Sequence, residues 1–142
     1  MRACAELASR PGGESVPSEV LAAGQDIPTS FLERIMGDLR RGGVVTSVRG
    51  RSGGYLLARP ADEITVADVV RAVDGPLVTV RDVRPPGLTY EGSAAGLLDV
   101  WVALRASVRD VLDVVTLKDL VDRDLPAAVR ELAAREDAWL NP

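Results

Sequence analysis

The sequence predicts a mainly α protein with one small β-hairpin: a winged helix-turn-helix head followed by a long dimerisation helix. Three observations predict it. Leu32, Ile35, Met36 and Leu39 fall at helical spacing behind a tight turn; two β-rich runs with a glycine-rich tip follow directly; and Leu97, Trp101, Leu104, Val108, Val111 and Val115 recur at alternating steps of four and three residues.

Taken in order, Ala3 to Ala8 reads as the tail of a helix stopped by Pro11-Gly12-Gly13, with its beginning missing. Val16 to Ala23 reads as a short helix with Pro17 in its first turn, where a missing N–H is harmless, and Gly24 as its left-handed stop. The helix expected over Pro28 to Arg41 buries the stripe named above and turns Ser30, Glu33 and Gly37 outward, with Thr29 and Arg34 beside them. Short hydroxyls, a carboxylate and a guanidinium are the groups that read base edges or hold phosphates, although the same face alone could be an ordinary solvated one.

Gly42-Gly43 ends that helix, and the runs Val44 to Val48 and Tyr55 to Ala58 flank Arg49-Gly50-Arg51-Ser52-Gly53-Gly54. A hairpin with a basic tip behind a helix-turn-helix is a wing. Its glycines permit the turn, and Arg49 and Arg51 supply charge for phosphates or a narrow minor groove. No Lys-Ser/Thr pair follows the glycines, which argues against a nucleotide-binding loop.

Arg59-Pro60 closes the head, expected over residues 1–60. Thr65 and Asp68 have capping-box spacing for a helix running to Gly75-Pro76, and residues 81–96, with two prolines and three glycines, read as a loop that is either functional or mobile. Residues 61–95 therefore form a connecting helix and possible sensor loop, and 96–142 the dimerisation helix with two short helices opening at Thr116 and Pro126. The heptad seam needs a partner for its stripe: the same helix from a second subunit, or the chain's own head.

The formal charge of −4 is unevenly placed, with eight Arg against six acids in residues 1–60 and three Arg against six in 61–95. A basic head on an acidic body suits double-stranded DNA as partner. With no His and one Cys, the chain lacks an internal disulfide, an ordinary base to activate a nucleophile, and the ligands of a zinc site. No metal or cofactor is expected. No apolar run is long enough to span a bilayer and the N-terminus has no secretion-signal core, so a cytoplasmic protein without membrane contact is expected.

These residues resemble the Rrf-two family of bacterial regulators, the group of the iron–sulfur assembly regulator, the nitric-oxide-sensing repressor and the cysteine-metabolism repressor. The resemblance is carried by Phe31-Leu32-Glu33 with Leu39-Arg40, Val48-Arg49-Gly50 with Gly53-Gly54-Tyr55, Ile64 to Val70, and Trp101 with Thr116-Leu117-Lys118-Asp119-Leu120. It implies a homodimeric transcription regulator, a repressor on a palindromic operator, with Ser30 and Glu33 at base-contacting positions and Arg49 as the wing arginine entering the minor groove. Arg51, Ser52 and Tyr55 carry over as further DNA contacts, Tyr55 being equally open to a packing role.

Two departures stand out. Family members extend further ahead of Met1, so the first helix is expected to lack its start. Cluster-binding members place cysteines in the loop that here spans Arg81 to Gly92, which has none, and Cys4 alone cannot supply a cluster. Any signal would then act through an unknown small molecule or partner protein, the alternative function being a ligand-gated or partner-binding winged-helix module with little DNA affinity of its own.

Overall fold

The computed structural model describes residues 1–10, 13–50 and 53–140. Among them the chain runs α1 (Arg2–Ala8), α2 (Ser18–Gln25), α3 (Thr29–Arg41), β1 (Val45–Val48), β2 (Gly54–Leu57), α4 (Val66–Asp74), α5 (Leu97–Leu112), α6 (Leu117–Asp122) and α7 (Ala127–Ala133). Short 3-10 turns at Pro85–Gly87, Gly92–Ala94 and Glu136–Trp139 complete it. This is the expected mainly α architecture with one hairpin.

Two boundaries move. Pro17 is the N-cap of α2 rather than part of its first turn, and Gly24 lies inside the helix, which ends instead at Asp26 in the left-handed conformation (φ 50°). The reason is tertiary: Val16 is drawn out of the helix to pair with Tyr55, its N–H donating to the Tyr55 carbonyl at 2.8 Å and its carbonyl accepting from Tyr55 at 2.9 Å. The wing thus gains a third chain segment along β2, beside the β1–β2 ladder of Val45↔Leu57 through Val48↔Gly54. Gly54 makes this approach possible, because a Cβ there would overlap the Val16 carbonyl.

One core draws on all three segments of the chain. Cys4 and Leu7 of α1, Leu21 of α2, Leu32, Met36 and Leu39 of α3, Val45 of β1, Ile64, Val69 of α4 and Leu117 of α6 share one buried cluster. Each such aliphatic side chain, fully buried, contributes about 1.5–3 kcal/mol. Helix α6, which follows α5, thereby returns to pack against α1 beside the head.

That return is fixed where α4 and α6 begin. Thr65 accepts from the Asp68 amide while Asp68 accepts from the Thr65 amide, and Thr116 and Asp119 do the same at α6. The two caps also pair with each other: Val66 N–H donates to the Val115 carbonyl at 2.8 Å and Leu117 N–H to the Ile64 carbonyl at 2.9 Å. Hydrogen bonds from the Thr116 amide and hydroxyl hold the Asp119 carboxyl below the usual carboxylate range.

Residues 81–96 are more ordered than a bare loop. Val80 and Val83 exchange backbone hydrogen bonds of 2.9 and 3.1 Å around a two-residue turn, and the Pro85–Gly87 turn packs against α5. α5 itself ends at Leu112, so Val115, expected as the last seam position, lies beyond the helix and is only 4% exposed within its own chain.

Two outcomes are expected. Gly54→Ala should lower stability by about 1–3 kcal/mol or more in urea unfolding, because its collision is with backbone that cannot repack. Thr116→Ala should cost about 1 kcal/mol at neutral pH. Since the folded state lowers the Asp119 pKa, the stabilisation from this carboxylate is full above the ordinary carboxylate range and fades as pH falls through it; Asp119→Asn should flatten that part of the stability–pH profile.

Candidate nucleic-acid interface

The three-residue turn Asp26-Ile27-Pro28 joins α2 to α3, with Ile27 N–H donating back to the Ala22 carbonyl at 3.0 Å. α3 is then locked by Leu32, Met36 and Leu39, all essentially inaccessible, which leaves it no rotational freedom about its axis. Its other side faces outward: Thr29, Ser30, Glu33 and Arg34 are all exposed. Pro28 caps the helix without a side-chain hydrogen bond, so the first N–H groups lack a side-chain acceptor and carry the positive end of the helix dipole. The Arg34 guanidinium lies 5.2 Å from the centroid of Phe31, which orients it along the helix surface.

On the wing, Arg49 follows β1, is exposed and has no ion-pair partner among the described residues. Arg51 and Ser52 lie outside the described residues. Tyr55 is half-buried with its ring against the core, and its backbone holds Val16, so the packing alternative is the one its surroundings favour. Sequence reasoning missed Arg40, whose Nη1 donates to Ser47 Oγ on β1 at 3.4 Å. That bond ties the end of α3 to the wing and places a further cation between them. Its adjacency to Leu39 in the sequence marked the helix but not this contact.

The seam residues divide. Leu97 and Leu104 are 41% and 45% exposed, Trp101, Val108 and Val111 are half-buried, and Val115 belongs to the core. α5 leans one edge of its stripe on α4 and on the Pro85–Gly87 turn, leaving the other edge open. Val100, 56% exposed, joins Leu97 and Leu104 on that open edge at i+3 and i+7, a position the strict heptad count passes over. Trp101 is held from above, its Nε1 donating to Tyr90 Oη at 3.1 Å. At the far end Asp113 accepts from Arg71 of α4 and from Arg109 Nε (2.8 Å); partial burial works to raise its pKa, but the two guanidinium groups outweigh it and hold the carboxyl below its ordinary value.

Cys4 is fully buried in α1 and burial pushes its thiol pKa up, the reverse of what metal ligation or redox chemistry requires. Among the described residues no three His, Cys, Asp or Glu side chains converge as a metal site. Nor is any helix of the described residues long and apolar enough to cross a membrane.

Comparison with known proteins places this arrangement. The family model Rrf2, described as "Iron-dependent Transcriptional regulator", matches residues 1–123. A Mycobacterium tuberculosis protein named as an HTH-type transcriptional regulator, Rv1287, is 49% identical over 133 residues, covering 94% of this chain and 83% of its own. The structure of CymR, the global cysteine regulator of B. subtilis, superposes with a TM-score of 0.68 at 33% identity, covering 84% of this chain and 88% of that one. That of T. potens IscR superposes with a TM-score of 0.66 at 29% identity, covering 99% and 85%. The iron in the family's description does not fit the donor set here, in which the one thiol is sealed in the core and no imidazole exists. By fold, by sequence and by the exposed helix and wing, the chain belongs to the Rrf2 family of helix-turn-helix transcriptional regulators.

Proposed function

We propose that this chain is a homodimeric, sequence-specific DNA-binding repressor that occupies a palindromic operator and works without an iron–sulfur cluster. The observation that carries the reading is that α3 and the wing present polar groups with no structural employment: Thr29, Ser30 and Glu33 on the helix, and Arg49 at the tip. Seated in a major groove, Glu33 accepts from a cytosine amino group, Ser30 and Thr29 hydrogen-bond to bases or phosphates, and Arg34 and Arg40 reach the backbone on either side. Arg49 enters the adjacent minor groove, where the potential is most negative when the groove is narrow.

Gly37 supports the same assignment. It sits mid-helix on the outward side of α3, where a glycine costs about 1 kcal/mol relative to alanine, yet a Cβ there would meet only the end of Arg41 at 3.6 Å. Folding does not demand this glycine. Close approach of DNA does.

Dimerisation rests on the open edge of α5. Leu97, Val100 and Leu104 form an apolar line that a monomer would leave in water, and pairing α5 with its copy covers it while setting two recognition helices on one face of the duplex. The acidic body, with six bases against nine acids in residues 96–142, stays off the phosphates. Occupation of the operator would then block transcription simply by excluding polymerase.

With an operator obtained by selection from random DNA, Glu33→Ala should change base preference by about 1–3 kcal/mol at one position of each half-site. Arg49→Ala should mainly weaken binding and flatten the salt dependence by about one unit of slope. Gly37→Ala should bind more weakly while melting at higher temperature. Unchanged preference and affinity in all three variants would remove the assignment.

Leu97→Asp with Leu104→Asp, both surface positions of the monomer, should sediment as a folded monomer at micromolar concentration and lose tight operator binding. A wild-type chain that sediments as a monomer would overturn the dimer.

A further inference from the structure

We propose that the segment between α4 and α5 binds a small organic carboxylate with an apolar tail, and that Trp101 registers its arrival. The inference rests on the reading of the chain as a regulator only in calling the ligand an effector; the site itself stands on geometry. A cavity of about 400 Å³ is lined by Val80, Arg81, Val83, Leu88, Thr89 and Tyr90. It lies outside the α3–wing surface.

The backbone around it is held against its own preference. Val80 and Val83 are bridged, and the two residues between them, Arg81 (φ 50°) and Asp82 (φ 65°), both adopt the left-handed conformation. A two-residue turn of this kind ordinarily takes Asn-Gly, and a glycine at either position would be cheaper. Val78, β-branched, is also left-handed at φ 56°. Non-glycine residues kept in this region cluster where a site needs a particular side chain in a particular place. Here the side chain is a guanidinium. Arg81 is exposed at the cavity wall and makes no hydrogen bond or ion pair among the described residues, even though Asp82 follows it in the same turn.

The remaining polar lining consists of hydroxyls. Tyr90 Oη accepts from Trp101 Nε1, which leaves its own proton to donate, and no acceptor in the described chain takes it. Thr89 adds a second hydroxyl, and no carboxylate lines the cavity. A cation with a planar fork and two hydroxyl donors calls for an anion with two acceptor oxygens, which is a carboxylate. The valine and leucine walls call for hydrocarbon attached to it. A phosphate dianion would face a single cation and three apolar walls, a poor exchange for its hydration.

Occupancy reaches α5 through one bond. A carboxylate that accepts a hydrogen bond from the Tyr90 hydroxyl draws the phenol toward it and alters its acceptance from Trp101, the half-buried indole on the covered edge of the helix whose other edge carries Leu97 and Leu104. The second tryptophan, Trp139, lies in the exposed C-terminal turn and can be removed without touching the site.

The test uses the full chain carrying Trp139→Phe, free of DNA, titrated with 3-methylbutanoate, benzoate and, as the uncharged control, 3-methylbutanamide. At least one acid should give a saturable change in Trp101 emission, with 3-methylbutanoate binding at least tenfold tighter than the amide. Arg81→Gln should raise the dissociation constant of the acid at least tenfold. Tyr90→Phe should leave binding measurable by calorimetry but shrink the emission change. Arg81→Gly should raise the melting temperature, by relieving the turn, and abolish the preference for acid over amide; a purely structural arginine would show the first effect without the second. Equal affinity for acid and amide, Arg81 variants that bind like the parent, or no saturable response to either acid would each overturn the proposal. Operator binding by the same protein without any acid tests the DNA reading alone, so failure of one leaves the other standing.

Discussion

Everything in this chain depends on the clasp at Thr65 and Thr116. A helix N-terminus exposes amides with no partner inside the helix, and two such ends placed together would leave both sets unsatisfied and two positive dipole ends facing each other. Here each end solves the other's problem. The first helical amide of α4 donates to the Val115 carbonyl, the first of α6 to the Ile64 carbonyl, and the carboxylates of Asp68 and Asp119 sit on the dipole ends while closing their capping boxes. Ile64 and Leu117, the residues flanking these bonds, are both fully buried, so the hydrogen bonds are shielded from water by the side chains they position.

From that clasp follows the relation between the two ends of the chain. α6 is carried back against α1, and α1 in turn packs on α2 and β2. α3 and the segment that follows α5 are consequently parts of one packed body. Arg71 adds a second tie, reaching from α4 to Asp113 just past the end of α5. A shift in α5 has short, packed routes toward α3 through α4, which contacts both.

What the body leaves unsatisfied is as informative as what it satisfies. The salt bridges of the described residues are exposed pairs such as Glu6 with Arg10 and Lys118 with Asp122, worth little individually. Against these, Arg49 and Arg81 make no ion pair among the described residues, and Leu97, Val100 and Leu104 lie exposed along one line of α5. These groups lie on three different surfaces: the wing, the loop before α5, and the open edge of α5 itself. The proposed function assigns them to DNA, to a signal and to a second copy of the chain.

The sequence by itself determined the elements whose causes are local. The spacing of Leu32, Met36 and Leu39 orients α3, the Thr-x-x-Asp pairs start α4 and α6, and the glycines between Val48 and Tyr55 make the hairpin, because each of these depends on residues a few positions apart. The exposed groups of α3 were legible for the same reason: fixing the buried stripe of a helix fixes its opposite face. Tertiary structure alone decided the rest. That Val16 leaves α2 to pair with Tyr55 depends on the absent Cβ of Gly54, far along the chain; that Val115 belongs to the core rather than to the seam depends on its carbonyl meeting Val66; and that Arg81 stands at a cavity wall depends on a turn closed by two valines and a helix packed behind it. A repeat of apolar residues says that a helix has a face to cover, but which neighbour covers which edge is a competition among surfaces brought together by the whole fold, and no spacing along the chain encodes its outcome.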